Sequence, residues 1–178
     1  MYLQPPWALF VTSKDINAKY INDALTRAWK GDNEGAWNLW LATDSYTDIP
    51  KLRDDNEIAE GTKPPIPDNF ASPFAGKSVE ECAKWLQHIP GDSAVNKEYF
   101  TVINEFSKED DTVLVVQVNK NGEGGEEIEV EYFPQPTKNI MMEMWTNGRG
   151  KFEEKASNYQ RARFDDGKPD RSKGPRYG

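Results

Sequence analysis

Apolar and polar positions along the chain follow two periods, and the shorter period predicts five β-strands. Short apolar or alternating runs predict strands at residues 8–12, 36–43, 98–106, 112–118 and 126–133. The fourth run is nearly all apolar, which is typical of a central strand. In the fifth run, three glutamates alternate with Ile128, Val130 and Tyr132. That alternation predicts a strand with one buried face and one solvated face.

The longer period predicts helices between these strands. Apolar residues at spacings of three and four predict a helix over residues 13–29, with Ser13 or Asp15 as its N-cap. Ser78 and Glu81 form a capping box, so a second helix should begin near Val79 and end before Pro90. Residues 137–145 predict a short helix or a packed turn, and residues 149–159 predict a closing helix.

The order of these elements predicts a single α/β (α+β) domain over residues 1–159. A strand, a helix and a second strand at the start favour a right-handed βαβ unit with parallel strands. We expect a mixed sheet of about five strands that begins with βαβ, ends in an antiparallel hairpin and is flanked by two or three helices. The proline-rich stretch 44–76 is either a functional loop or a disordered one, and residues 160–178 are predicted to be a flexible basic tail.

The chain has one cysteine and one histidine, Cys82 and His88, and both fall on the helix predicted by the capping box. Each residue turns a helix by about 100°, so these two side chains point roughly 120–140° apart and cannot form a nucleophilic dyad. Cys82 belongs to the apolar stripe of the helix and should be buried. His88 should be a solvated residue of the last turn.

Charge and composition limit the classes of partner. The formal net charge is −8, made up of −11 over residues 1–159 and +3 over residues 160–178. Because an acidic surface repels phosphates, nucleic acid and acidic membranes are disfavoured. No apolar stretch is long enough to cross a membrane, and a single cysteine fits a reducing compartment, so we expect a cytoplasmic protein.

No motif for a cofactor or a metal stands in the sequence. The acidic run DDNEIAE at 54–60 lacks the pattern of a calcium loop, and NGRGK at 147–151 lacks that of a phosphate loop. One Cys and one His cannot make a zinc site without several carboxylates. We therefore expect no cofactor and no bound metal.

Several short motifs resemble those of an uncharacterised α/β domain family found in bacteria and fungi. LFVTSKDI and LTRAW are similar to the family's first strand, turn and helix, and GKSVEECAKWL is similar to its middle helix. FTVINEFSKEDDTVLVVQV resembles the acidic strand pair that follows. The resemblance covers residues 8–20 and 76–159, has no counterpart in 44–75, and implies the fold without implying an activity.

Candidate acid/base residues follow the strands that are predicted to be parallel. Ligands of open α/β sheets bind beyond the carboxyl ends of such strands. Asp15, Asp44 and Glu105 fall there, and crowded carboxylates can raise one pKa to make an acid/base pair. These residues support one function hypothesis, a cofactor-free cyclase or isomerase that acts on a small molecule in an aromatic-lined pocket under the long loop.

The second hypothesis, which we prefer, is a small non-catalytic protein-binding module of regulatory or immunity type. It rests on the missing catalytic motifs, the acidic body and the abundance of tryptophan, a residue enriched at interface hot spots. The partner would be another protein, with a small molecule as the alternative, and the oligomeric state is left open. The candidate contact residues are Lys14, Trp40, Tyr46, Asp54, Asp55 and Glu57.

Overall fold

A computed structural model of the protein describes residues 6–52, 59–121, 127–146 and 151–161. One 3₁₀ turn, Thr137–Asn139, precedes the fourth helix. The strands and helices of the described ranges, in chain order, are β1 Trp7–Val11, α1 Ala18–Gly31, β2 Leu39–Leu41, α2 Val79–Gln87, β3 Tyr99–Ile103, α3 Ser107–Asp110, β4 Thr112–Asn121, β5 Glu127–Pro136, α4 Ile140–Thr146 and α5 Phe152–Arg161.

The strands form one mixed sheet in the order β2-β1-β3-β4-β5. β1 pairs in parallel with both β2 and β3, with Leu9 opposite Leu41 and Val11 opposite Ile103. β3 and β4 are antiparallel, and β5 returns along β4 as a hairpin. The predicted α/β class, the βαβ opening and the closing hairpin are therefore confirmed.

Helices cover both faces of this sheet. Residues of α1, α4 and α5 pack on the face that carries Leu9, Leu41 and Phe133. Residues of α2 pack on the opposite face, which carries Phe10 and Val116. Alternation along each strand thus sends one apolar set to each helical layer, as expected for a sheet buried on both sides.

Two helix starts differ in how well the sequence predicts them. The capping box of α2 is present, with Ser78 Oγ accepting from the Glu81 amide at 3.1 Å and the Glu81 carboxylate accepting from the Ser78 amide at 2.8 Å. The predicted cap of α1 is wrong, because Asn17, not Ser13 or Asp15, accepts from the Tyr20 amide. Ser13 Oγ accepts instead from the Asp15 amide, and this local turn delays the helix.

The proline-rich stretch contributes to both cores and covers a sheet edge. Ile66 packs with the core on the α1 side, whereas Phe74 packs with the core on the α2 side. Thr62 lies beside the free edge of β2, where its amide donates to Leu39 O at 2.7 Å and its hydroxyl accepts from the Leu41 amide at 2.8 Å. This stretch therefore satisfies polar groups of an edge strand that would otherwise be available for aggregation.

Gly61 should be required for this edge cover. A Cβ added at Gly61 would overlap the backbone of Leu39 and Trp37, neither of which can rotate away. We expect Gly61→Ala to lower the free energy of unfolding by about 1–3 kcal/mol, the usual cost of overpacking. Urea unfolding measures this, with Gly91→Ala as the control because no atom lies near that position. Equal midpoints for the two variants would contradict the close approach.

Candidate protein-binding surface

The carboxyl ends of the three parallel strands, where we predict acid/base residues, are closed by the protein's own chain. Ser72 Oγ donates to Val11 O at 2.5 Å, and the Gly76 amide donates to Thr12 O at 2.8 Å. The segment 72–76 therefore occupies the position directly after β1. Asp15, Asp44 and Glu105 all lie exposed beyond this edge.

The aromatic residues expected to line a pocket under the long loop contact one another instead. Trp85 stacks on Trp40 at 6.2 Å between ring centroids and on Tyr46 at 4.8 Å. The edges of Phe10 and Phe74 complete the cluster. Trp40 is only 4% exposed, so this candidate contact residue is a core residue that Trp85 would have to uncover.

The remaining sequence candidates are dispersed. Lys14 is exposed, and Tyr46 is half-buried against the helix, with its hydroxyl donating to Trp85 O at 3.4 Å. The acidic residues Asp54, Asp55 and Glu57 lie outside the described residues. The structure therefore brings together the aromatic pair of Trp40 and Tyr46 but assembles no site from Asp15, Asp44 and Glu105.

Cys82 and His88 behave as the helix geometry predicts. Cys82 is fully buried, and burial raises the pKa of its thiol to about 12, so the thiol stays protonated near neutral pH and is a poor nucleophile. His88 is exposed at the end of α2, where Nδ1 lies 2.7 Å from Lys84 O.

An exposed aromatic surface lies at the opposite edge of the sheet, near the amino ends of β1 and β2. Trp145 and Met142 project from the same side of α4 and are 41% and 64% exposed. Trp145 meets the edge of the buried Trp7 ring at 6.2 Å and an interplanar angle of 73°. A large apolar pair is thus held at the surface by the first strand of the sheet.

Asp32 lies beside this pair. It is the C-cap of α1, and hydrogen bonding links its side chain to those of Trp145 and Asn38. Burial raises the pKa of the Asp32 carboxyl, and these two hydrogen-bonding contacts oppose the rise only in part. No ion pair within the described ranges includes Asp32. The carboxylate is therefore partly desolvated and has neutral neighbours.

Two further tryptophans extend the surface. Trp29, from α1, stacks on Trp37 with ring centroids 4.6 Å apart and planes within 8°. The Trp29 indole N–H donates to Gly35 O at 2.7 Å, which fixes the turn between α1 and β2. Met141 of α4 and Asn38 line a small internal cavity together with both rings. We call the set Trp7, Trp29, Trp37, Trp145, Met142 and Asp32 the tryptophan corner.

The desolvated carboxyl of the tryptophan corner should destabilise the fold at neutral pH. Because the folded pKa of Asp32 is raised, its stabilising contribution is full below the unfolded pKa and is lost as the pH rises through the folded pKa. We expect Asp32→Asn to raise the urea midpoint at pH 7 and to have no such effect below about pH 4. The exposed Glu34 of the same turn provides the control, Glu34→Gln. A lower midpoint for Asp32→Asn at pH 7 would contradict the assignment.

Sequence reasoning missed this surface although one signal was present. On a helical wheel, Ile140, Met141 and Met144 form one stripe, and Met142 and Trp145 fall outside it. Apolar residues outside the stripe indicate an exposed apolar face. The role of Asp32 had no such signal, because its contact with Trp145 depends on how α1 and α4 meet.

A separate polar cleft of about 540 Å³ opens between the projecting β4–β5 hairpin and α5. Its lining includes Lys97, Gln117, Asn119 and Glu153. Gln117 donates to the Tyr99 hydroxyl at 3.0 Å, and its Oε1 is buried without a partner. None of the three predicted acid/base residues lines this cleft.

Comparisons of the chain with family models, curated proteins and solved structures find no match. The resemblance to the bacterial and fungal domain family accordingly remains a prediction. Within the described ranges, no helix is both long and apolar enough to cross a lipid bilayer. In the same part of the chain, no three His, Cys, Asp or Glu side chains are grouped to hold a metal ion.

Proposed function

We propose that the protein is a non-catalytic protein-binding module of the cytosol, of regulatory or immunity type, and that the tryptophan corner is its contact surface. The observation that carries this proposal is the pair of exposed apolar side chains on α4, Trp145 and Met142. Tryptophan and methionine are enriched at the centres of protein interfaces, where a few large side chains supply most of the affinity.

The rigid support of Trp145 favours binding over chance exposure. Its ring is held by the edge contact with Trp7 and by hydrogen bonding to the Asp32 carboxyl. A side chain that is already ordered loses little conformational entropy when a partner covers it. The occupant we propose is a protein with a basic surface, because the body of this chain carries a net charge of −11.

The alternative, a small-molecule cyclase or isomerase, gains no support from its predicted site. The segment 72–76 fills the position after β1, and the aromatic side chains nearby pack on one another. Asp15, Asp44 and Glu105 therefore have no enclosed apolar space beside them in which a substrate could be held.

Site-specific photo-crosslinking tests the proposal. A photoreactive residue replaces Met142, Leu52 or Lys19 in the full chain, which is then added to an extract of the source cells. Leu52 is 68% exposed and precedes the acidic run, whereas the Lys19 side chain is 83% exposed on α1. We expect one dominant crosslinked protein from position 142, competed away by excess wild-type chain but not by excess Trp145→Ala chain.

The other outcomes are equally decisive. A competed crosslink from position 52 alone would assign the contact to the acidic stretch with Asp54, Asp55 and Glu57 and would overturn the tryptophan corner. Crosslinks to a second copy of the chain would replace the basic partner by self-association. The absence of a competed crosslink at all three positions would overturn the protein-binding function.

A further inference from the structure

The tryptophan corner carries one buried charge that its apolar residues do not require. Asp32 is partly desolvated, and its contacts with Trp145 and Asn38 are to neutral groups. A carboxylate in such a position costs free energy unless a cation approaches it. Among described residues it forms no ion pair, although Lys30 is only two positions away in the sequence.

The neighbours of Asp32 restrict the cation that fits. Trp145 and Met142 present apolar surface beside the carboxylate, so the cation should carry a long aliphatic stem. A simple metal ion would need several oxygen ligands, and no acidic or histidine cluster surrounds Asp32 within the described ranges. Arginine meets both conditions, because its planar guanidinium pairs with a carboxylate through two donors and its stem packs on aromatic rings.

We infer that the tryptophan corner recognises an arginine side chain of the partner, with the guanidinium paired to Asp32 and the stem packed on Trp145 and Met142. This inference rests on the proposed function and names the chemistry of the partner. It explains why a charge that is unfavourable in the free protein stands next to the exposed tryptophan. The ion pair forms only in the complex, where the surrounding indole rings keep water away.

Two short peptides test the inference without knowledge of the partner. The probes are acetyl-Leu-Arg-Leu-amide and the same peptide with citrulline, which keeps the shape of arginine but has no charge. Binding is followed through the indole N–H signal of Trp145 in nitrogen–proton correlation spectra, assigned by its loss in Trp145→Phe. We expect the arginine peptide to bind at least about tenfold more tightly than the citrulline peptide.

Variants of the α1–β2 turn locate the charge. Asp32→Asn should abolish the preference for arginine, whereas Glu34→Gln, which removes an exposed carboxylate from the same turn, should retain it. Unchanged far-ultraviolet circular dichroism and unchanged signals of Trp29 and Trp37 verify that each variant is folded. Arg149→Gln reports on a cation from the chain itself, and tighter peptide binding in that variant would show that Arg149 competes for the same carboxylate.

Failure of the inference is distinguishable from failure of the proposed function. Equal binding of both peptides, binding of neither peptide, or an arginine preference that survives in Asp32→Asn would overturn the arginine assignment. Stronger binding of the lysine analogue than of the arginine peptide would also overturn it. In each of these cases a competed crosslink at position 142 would still support the binding surface, whereas its absence would remove the proposed function itself.

Discussion

Replacing Lys155 with methionine should lower the free energy of unfolding by about 3 kcal/mol, the cost of leaving one charge of a buried pair uncompensated. Lys155 Nζ lies 2.7 and 2.9 Å from the two carboxylate oxygens of Glu143, and the side chains are only 17% and 8% exposed. Gln135 Nε2 also donates to Glu143, at 3.1 Å. This pair links α5 to α4, so its loss should loosen the closing helix.

A double variant and a surface pair serve as controls for the Lys155 prediction. Glu143→Gln combined with Lys155→Met removes both charges and should recover most of the stability, because Gln135 can still hydrogen-bond to the new amide. Lys19→Met breaks an exposed pair with Asp23 and should cost less than about 0.5 kcal/mol. Urea unfolding measures all three variants. A Lys155→Met midpoint equal to that of Lys19→Met would show that the buried pair contributes nothing.

Replacing Trp145 with alanine should weaken binding of the crosslinked partner by about 30-fold or more, a loss of about 2 kcal/mol that is typical of a hot-spot tryptophan. The fold should survive, because Trp145 lies at the surface and loses only its edge contact with Trp7 and its contact with Asp32. Titration calorimetry with the purified partner measures the dissociation constant. Leu52→Ala removes an equally exposed apolar side chain elsewhere and should leave the constant within about twofold.

An unchanged constant in Trp145→Ala would contradict the assignment of the binding surface. A large loss in both Trp145→Ala and Leu52→Ala would instead extend the contact from the tryptophan corner to the acidic stretch. Circular dichroism and the urea midpoint of each variant separate a loss of binding from a loss of folding.

Much of the fold could be predicted because its signals are local. The apolar run at 112–118 and the strict alternation at 126–133 indicate their strands directly, and β4 and β5 form there. The capping box at Ser78 marks the start of α2 through hydrogen bonds within four residues. The strand–helix–strand order then predicts the parallel pairing of β1 and β2, because a right-handed crossover is strongly preferred.

The errors arise where a tertiary contact competes with a local pattern. β2 is three residues long rather than eight, because Trp37 leaves the strand to stack on Trp29. The proline-rich stretch has no periodicity, yet Ile66 and Phe74 anchor it to both cores. The acid/base site was predicted at the carboxyl ends of the strands on a general rule, which could not foresee that Ser72 and Gly76 would occupy that edge.

The tryptophan corner lay beyond sequence reasoning for the same physical cause. Asp32 and Trp145 are far apart in the chain and meet only because α1 and α4 pack on one face of the sheet. The number of tryptophans indicated a binding surface, but the distinction between buried Trp7 and exposed Trp145 requires the packed helices. Exposure, and not residue type, separates a core aromatic from a contact residue.

Hydroxyl-radical footprinting of the free protein and of its complex, isolated gently from the source cells, tests the central claim most directly. Methionine and tryptophan side chains report their own exposure, and Met142, Trp145 and Leu52 are all exposed in the free chain. The tryptophan corner as contact surface predicts that oxidation of Met142 and Trp145 falls severalfold in the complex while oxidation of Leu52 is unchanged. Equal oxidation of Met142 and Trp145 in the free and bound protein would contradict it.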